Sequence, residues 1–380
     1  MFDHNKTEFS AALLYWYDQH RRHLPWREDP TAYHIWVSEI MLQQTRVEAV
    51  LGYYDRFMKA CPDIRSLAAA SEDTYMKLWE GLGYYSRVRH LHDAAVLLVD
   101  QYNANLPDTY AALRELPGIG DYTAAAIASM TFGEAVPAVD GNLLRIFARL
   151  TEYPSSIKDS AAKKAAFAWY QERIPKNRPG DFNQALMDIG ATICLPHGAP
   201  ECAHCPLADF CAAKKNGTWG SYPVMPEKKA RRVENRTVLL IHDKVHILID
   251  QRPEKGLLAG LYEFPNVEGH LSEEALPEAL SALKLPIVSI RKAPDAKHIF
   301  THLEWHMIGY DITVASLDAW QKAKKHAKFE SDLEAADHIN VPAAKQVLQS
   351  LLPVHFEKLS TEYAIPSAFA IYKNYIGKIS

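Results

Sequence analysis

The sequence predicts a multidomain protein: an all-α first part closed by a cysteine-rich metal-binding loop, then an α+β second part. Three observations carry this. At 380 residues the chain is longer than one hydrophobic core commonly spans, so two domains are the default. Apolar residues recur at helical spacing up to about residue 193, and alternate as in strands from about residue 238. Four of the five cysteines fall within one short run between these two regions.

Composition narrows the classes. With 48% apolar and 23% charged residues the chain is ordinary globular material. The net charge is -4, and residues 1–233 hold 26 Lys and Arg against 27 Asp and Glu. The broad basic footprint of many nucleic-acid binders is absent. Any such contact must rest on locally placed donors, helix N-termini included. The start, MFDHNKTEF, has an acid at Asp3 and no early apolar run, and no stretch is long enough to span a bilayer. A soluble cytoplasmic protein with no membrane partner is expected.

Residues 7–20 have the periodicity of an amphipathic helix, with Phe9, Leu13, Trp16 and Tyr17 on one stripe. Arg22-His23-Leu24-Pro25-Trp26-Arg27 follows, a proline-broken loop. It reads either as an exposed loop with a packed Trp or as a pocket wall that stacks on a base. Residues 31–59 read as two helices. The first, Tyr33 to Leu42, is apolar almost all round, so Glu39 is a carboxylate on a buried face. It is either a paired structural Glu or a general acid whose pKa burial raises. Gln43-Gln44-Thr45 ends that helix with polar groups able to reach base edges. Residues 63–105 hold two or three helices, broken by Gly81-Leu82-Gly83-Tyr84-Tyr85-Ser86-Arg87. That loop is a helix cap with packed tyrosines, or a wedge for a base stack.

The stretch Leu113 to Asn142 opens as a helix and turns at Pro117-Gly118-Ile119-Gly120. It re-enters a helix at about Tyr122 and ends on a Val-Asp-Gly-Asn corner bearing Asp140. Gly118 and Gly120 allow close backbone approach and positive φ. The second helix would offer free N–H groups to a phosphate. A plain helical hairpin is the alternative. Residues 159–174 and 181–193 read as helices, the latter with its apolar stripe broken by Gln184 and Asp188.

Cys61 stands alone and reads as a small buried apolar residue. Cys194, Cys202, Cys205 and Cys211 have spacings x7, x2 and x5, with a proline after the third. In a cytoplasmic chain this is a metal site, not a disulfide pair. Zinc is the rival, but zinc modules usually bring two CxxC-like knuckles and this run has one. A compact four-Cys run suits an iron–sulfur cluster better. Residues 214–232, with six Lys/Arg against one Glu, read as a linker. Beyond it, Val238–Ile241 and Val245–Ile249 flank His242-Asp243-Lys244 as a hairpin. A second strand pair is expected near 297–314, and helices at 272–283, 317–327 and 343–351.

Taken together, LPWR (24–27), VSEIMLQQTRV (37–47), GLGYYSR (81–87), LPGIGDYTAAAI (116–127), VDGN (139–142), the four cysteines, GLLAGLYEFP (256–265) and HIFTH (298–302) are specific. With them the chain resembles the MutY family of adenine DNA glycosylases, across about residues 5–352. These belong to the endonuclease III, or helix-hairpin-helix, glycosylase superfamily. The resemblance implies a helix-hairpin-helix glycosylase domain over 1–213. Within it a six-helix barrel takes about 29–133, and the N-terminal helix joins 134–213 as an iron–sulfur cluster domain. A linker at 214–233, a Nudix/MutT-like domain at 234–352 that reads 8-oxoguanine, and a tail at 353–380 complete the chain. It also implies one [4Fe-4S] cluster on Cys194, Cys202, Cys205 and Cys211. The first spacing exceeds the family's x6 by one residue, which a loop absorbs.

Breaking the N-glycosidic bond of deoxyadenosine needs a better leaving group and a stabilised oxocarbenium ion, the task of two carboxylates in other glycosidases. Glu39 suits the acid that protonates a ring nitrogen, and Asp140 the ionised partner. The resemblance gives the same roles and adds Tyr122 and Asn142 as groups holding Asp140 and the water. Arg22, Leu24, Trp26, Arg27 and Gln184 are implied to line the pocket for the flipped adenine. Gln44 and Tyr84 are implied to fill or wedge the duplex, with Thr45 beside them and Gly118 and Gly120 on the backbone. Phe300, Thr301 and His302 match a loop that often reads Phe-Ser-His and senses 8-oxoguanine; Thr keeps the hydroxyl. Strand-cutting relatives carry a lysine where this chain has Tyr122, so no imine to the sugar forms there. After Gly260 the acidic cluster of a working Nudix box is missing, so the second domain is expected to read, not hydrolyse. A monomer acting on double-stranded DNA with A:8-oxoguanine or A:G mispairs, in a bacterial cytoplasm at the nucleoid, is the implied setting. A non-catalytic lesion sensor and a pyrimidine-lesion glycosylase-lyase are the alternatives. Glu39 and Asp140 argue against the first, Tyr122 against the second.

Overall fold

The computed structural model describes residues 4–226, 230–281, 283–324 and 351–378. It divides into two compact units, Met1–Ala70 with Ser86–Lys228, and Ser71–Tyr85 with Lys229–Ser380.

The first unit is helical. Helix α1 is His4–His20, α2 the short Pro25–Glu28, α3 Ala32–Leu42, α4 Val47–Ala60 and α5 Ile64–Ala68. Phe9, Leu13 and Tyr17 of α1 are buried at i, i+4 and i+8. Trp16, placed by periodicity on that stripe, is half-buried and stacks on His20. Helix α3 is the centre of the unit. Thr31 caps it by accepting the His34 N–H, and eight of its eleven residues are buried. At its other end Arg87 Nη1 donates to the carbonyls of Ile40, Met41 and Gln43 at 2.6–3.0 Å, satisfying acceptors the helix leaves open.

Helix α6, Glu72–Leu78, belongs to the second unit, and α7, Ser86–Gln101, returns to the first. The short α8, Tyr110–Leu113, leads through the Pro117–Gly120 turn into α9, Asp121–Thr131. Gly118 has φ +73°, and a Cβ there would lie 2.5 Å from His90 Cβ. Gly120 differs from expectation in its backbone: its φ is -87°, and a Cβ there would meet no protein atom, so the fold itself does not require glycine at this position. Ala124, Ala125, Ala126 and Ala128 are fully buried, and such small residues let α9 approach α3 closely. Helices α10, Gly141–Thr151, α11, Ser160–Gln171, and α12, Pro179–Thr192, follow, and a loop leads to α13, Ala212–Asn216. Part of the expected 214–233 linker is packed. Arg149 Nε donates to Tyr222 O, and Ile157 N–H to Val224 O.

The second unit holds one seven-stranded sheet among the described residues, in the order β3-β2-β1-β6-β5, with β4 pairing β1 and β7 pairing β2. The strands are β1 Arg232–His242, β2 His246–Gln251, β3 Tyr262–Glu263, β4 Asn266–Glu268, β5 Ile287–Ile299, β6 Leu303–Val314 and β7 Leu352–His355. The expected β1–β2 hairpin forms. Asp243 Oδ1 accepts the Val245 and His246 N–H groups across its turn. Strand β5 begins ten residues before the 297 expected. It tolerates Pro294 because it is an edge strand with a register shift between Ala293 and Ala296. Helices α14, Leu276–Ser281, and α15, Leu317–Lys324, cover one side, with Leu276, Leu280, Leu317 and Trp320 in that core. The helix expected at 343–351 lies outside the described residues but for its last position.

Residues 353–378 of the expected tail are integral to this unit. Helices α16, Phe356–Thr361, and α17, Ala370–Ile376, bury Leu359, Tyr372 and Ile376, and the turn before α17 buries Phe369, in the same core as Trp305 and Phe264. Residues 71–85 join the same region. Lys77 Nζ donates to Tyr363 O, and Glu80 takes Lys77, Lys373 and the Ile365 N–H. No helix among the described residues is long and apolar enough to cross a membrane.

Candidate active site

A cavity of about 510 Å³ opens in the first unit among α2, α3, α9, α10 and α12, within the range of small-molecule sites. The residues expected to hold a base meet there: Arg22, Leu24, Trp26, Arg27 and Gln184 line it. So do Glu39, Tyr122, Asp140 and Asn142. Proline starts α2 at its first turn and sets Leu24 in extended backbone, which turns the loop inward. Trp26 is buried edge-on against Tyr54 at 5.2 Å. Gln184 Oε1 is buried and has no hydrogen-bond partner among the described residues.

Glu39 is only 4% exposed. Burial pushes its carboxyl up to about 7, with Asp140 adding to the rise and the Tyr122 hydrogen bond and Arg27 opposing it. Tyr122 Oη donates to Glu39 Oε2 at 2.6 Å. The resemblance places Tyr122 at Asp140; in the structure its hydrogen bond goes to the other carboxylate. Asp140 is the N-cap of α10. Its Oδ1 accepts the Leu143 N–H at 2.8 Å and its Oδ2 accepts Asn142 Nδ2 at 2.8 Å. Burial raises Asp140 too, against those two donors and Arg145. The helix N-terminus favours the anion further.

Asp188 was legible only as a break in an apolar stripe. It is fully buried and ion-pairs with both Arg22 and Arg27. Arg145, in a helix that carries no motif of its own, joins the site as well. Its Nη2 donates to Asn142 Oδ1 and Gly190 O, and its Nε to Cys194 O.

Cys194, Cys202, Cys205 and Cys211 line one further cavity with Ile146, Leu150 and Leu207. Arg149 Nη1 donates to Cys194 Sγ at 3.2 Å. Among the described residues, no three His, Cys, Asp or Glu stand in an arrangement for one metal ion.

The remaining expected residues lie elsewhere. Thr45 lines the same cavity as Glu39, whereas Gln44 is exposed in the turn after α3 with φ +58°. The turn carrying Gly118 and Gly120 leads to a groove of about 580 Å³ at the N-terminus of α9, lined by Arg114, Lys163 and Lys164. In the second unit Tyr84, with φ +48° and 45% exposed, shares a 2.7 Å hydrogen bond with Thr301 Oγ1. Phe300 packs on Trp305 at 4.9 Å, leaving Thr301 and His302 exposed at the β5–β6 tip. Glu263, in the stretch where a Nudix box would lie, is taken by Arg252 at 2.6 Å.

Comparison with known proteins finds relatives of both parts of the chain. A profile described as "HhH-GPD superfamily base excision DNA repair protein" matches residues 37–172, and one described as "NUDIX domain" matches 236–350. The human protein named adenine DNA glycosylase is 35% identical over 358 residues, covering 78% of this chain and 65% of the human one. The mouse protein of that name is 34% identical, covering 82% of this chain and 71% of its own. That from Buchnera aphidicola is 32% identical over 342 residues, covering 90% of this chain and 96% of its own. The chain belongs to the adenine DNA glycosylase family. It spans about two thirds of the human relative and nearly all of the Buchnera one. Adenine DNA glycosylases are base-excision-repair enzymes, here with a helical helix-hairpin-helix unit followed by a sheet-containing Nudix-like one. Glycosylases of this family generally carry an iron–sulfur cluster, and this one brings four cysteines to a single cavity.

Proposed function

We propose that the chain is a monofunctional glycosylase releasing adenine mispaired with 8-oxoguanine or guanine in double-stranded DNA. One observation carries the reading: Glu39 and Asp140 share one buried cavity but have different partners, so the proton favours Glu39.

The adenine leaves the stack and enters beside Trp26. The orphaned Gln184 Oε1 accepts a hydrogen bond from its exocyclic amine. Glu39 gives its proton to a ring nitrogen, and the glycosidic electron pair leaves with the base. Asp140 stabilises the positive charge on the sugar, directly or as a transient ester. A water held at Asn142 and Asp140 then adds its oxygen to the sugar carbon, and its proton restores Glu39. Tyr122 offers no amine, so the strand is not cut by an imine route. The four thiols suit a [4Fe-4S] cluster: the donor set is all sulfur, and Arg149 donates to one of them. When bound, the cluster would fix the Cys194–Cys211 loop and help place DNA. The Phe300-Thr301-His302 tip, tied through Thr301 to Tyr84, suits the partner base. We assign the working form as a monomer in the cytoplasm.

Single-turnover adenine release from an A:8-oxoguanine duplex tests this. Glu39→Gln and Asp140→Asn are each expected to lose release by about 10²–10⁴-fold while duplex binding persists. Near-normal release by either variant overturns the assignment.

A further inference from the structure

Asp188 sits one helical turn beyond Gln184 on α12, with a side chain wholly out of solvent. A buried carboxylate is costly unless its oxygens are satisfied. Here both oxygens are. Oδ1 accepts from Arg22 Nε at 2.6 Å and Arg27 Nη2 at 3.0 Å. Oδ2 accepts from Arg27 Nη1 at 2.8 Å and the Arg22 N–H at 3.2 Å. Arg27 therefore presents the two-pronged geometry of a strong ion pair, and Arg22 is held by side chain and backbone at once. Both arginines line the base cavity, and Arg27 is 10% exposed.

We propose that Asp188 is the positioning residue of this pocket: its carboxylate fixes both arginines on the pocket wall and neutralises Arg27, whose guanidinium shares the cavity with Glu39. The inference rests on the reading of the cavity as the base pocket and of Glu39 as its acid. An arginine on the wall of a pocket whose acid must stay protonated is a hazard, since a free guanidinium draws that proton away. The other groups around Glu39 are Tyr122 from α9 and Asp140 from the α10 cap. Arg46 and Glu48 lie on the same cavity's α4 side with opposite charges. Tyr17 of α1 lies under Arg27, 6.0 Å from its guanidinium. Among the described residues, Asp188 is the only carboxylate with a recorded ion pair to Arg22 or Arg27.

The test is the pH profile of adenine release by the full-length, cluster-loaded protein in single turnover on an A:8-oxoguanine duplex. Asp188→Asn frees Arg27, so its basic limb is expected to move to lower pH by about one unit, with about tenfold slower release on the alkaline side. Arg27→Gln leaves Asp188 unmatched by that cation, so its limb is expected to move the opposite way. The double variant is expected to return the limb towards the wild-type position. The carboxyl ¹³C signal of Glu39, followed across pH, reads the same shifts without turnover. If Asp188→Asn alone does not fold, the double variant compared with Arg27→Gln still decides: loss of the carboxylate is expected to move the limb back down, and an unmoved limb overturns the proposal. A purely structural Asp188 would lower stability or amplitude and leave the limb and the ¹³C titration where they were, which overturns the proposal. Glu39→Gln, run beside them, separates the two ideas. If it releases adenine normally, the acid assignment has failed. If it is dead while the limb stays fixed in the others, only the positioning role has failed.

Discussion

Glu39 and Asp140 show how two like side chains come to differ within one cavity. Glu39 sits on the buried face of α3 and receives one hydrogen bond, from Tyr122. Asp140 sits at a helix N-terminus and receives two. Base release is therefore expected to fall as pH rises through about 7, where Glu39 loses its proton. A profile flat across that range would remove Glu39 from the acid role. The same residue bears on stability. Its folded pKa lies above its unfolded one, so below the ordinary carboxylate range both states are protonated and there is no cost. Above about 7 the folded state holds a buried anion, which costs up to about 3 kcal/mol. Glu39→Gln, whose amide oxygen still accepts from Tyr122, is expected to be more stable than wild type at alkaline pH and equal to it in acid. Urea unfolding at both ends of the range checks this. Glu39 was legible because a lone carboxylate in IWVSEIML has few comfortable places. Asp188 was not: its partners are 161 and 166 residues away, and a single acid in a helix reads equally well as a solvent face.

At the scale of elements, the turn before α9 separates its two glycines. Gly118 is left-handed and abuts His90, so Gly118→Ala is expected to cost about 1–3 kcal/mol from backbone strain, with the clash in addition. Gly120→Ala is expected to be near neutral, a smaller unfolded-state entropy offsetting a poorer helix cap. Urea midpoints of the two variants check the contrast, and equal losses would contradict it. The motif announced the turn but not which glycine bears the strain, because that depends on His90 approaching from α7. The helices of the first unit followed from periodicity and caps. The early start of β5 did not. Ile287–Ala296 mixes charge with a proline, and only its place at the sheet edge makes that sequence acceptable as strand.

At the scale of the whole molecule, the boundary between the units is not one cut in the sequence. Residues 71–85, inside a run of helical periodicity, belong with the sheet-bearing unit, and residues 352–376 are core to it. Neither was legible, since the first looks like any short helix and most of the second, YAIPSAFAIYKNY at 363–375, has no strand or helix period that names a partner. A chain ending at residue 351 is expected to lose cooperative melting of the second unit and to bind a hydrophobic dye, because Val354, Leu359, Phe369 and Tyr372 leave its core. A full-length midpoint in that truncation would show the segment to be an appendage. The interleaving also has a consequence in time. Lys77 and Glu80 leave the ribosome 286 and 293 residues before Tyr363 and Lys373. At synthesis rates of about 5–20 residues per second that is a wait of about 15–60 s. For that interval the nascent chain presents the loop bearing Tyr84 without its permanent partners, and stalled chains should be cut by protease between residues 71 and 85.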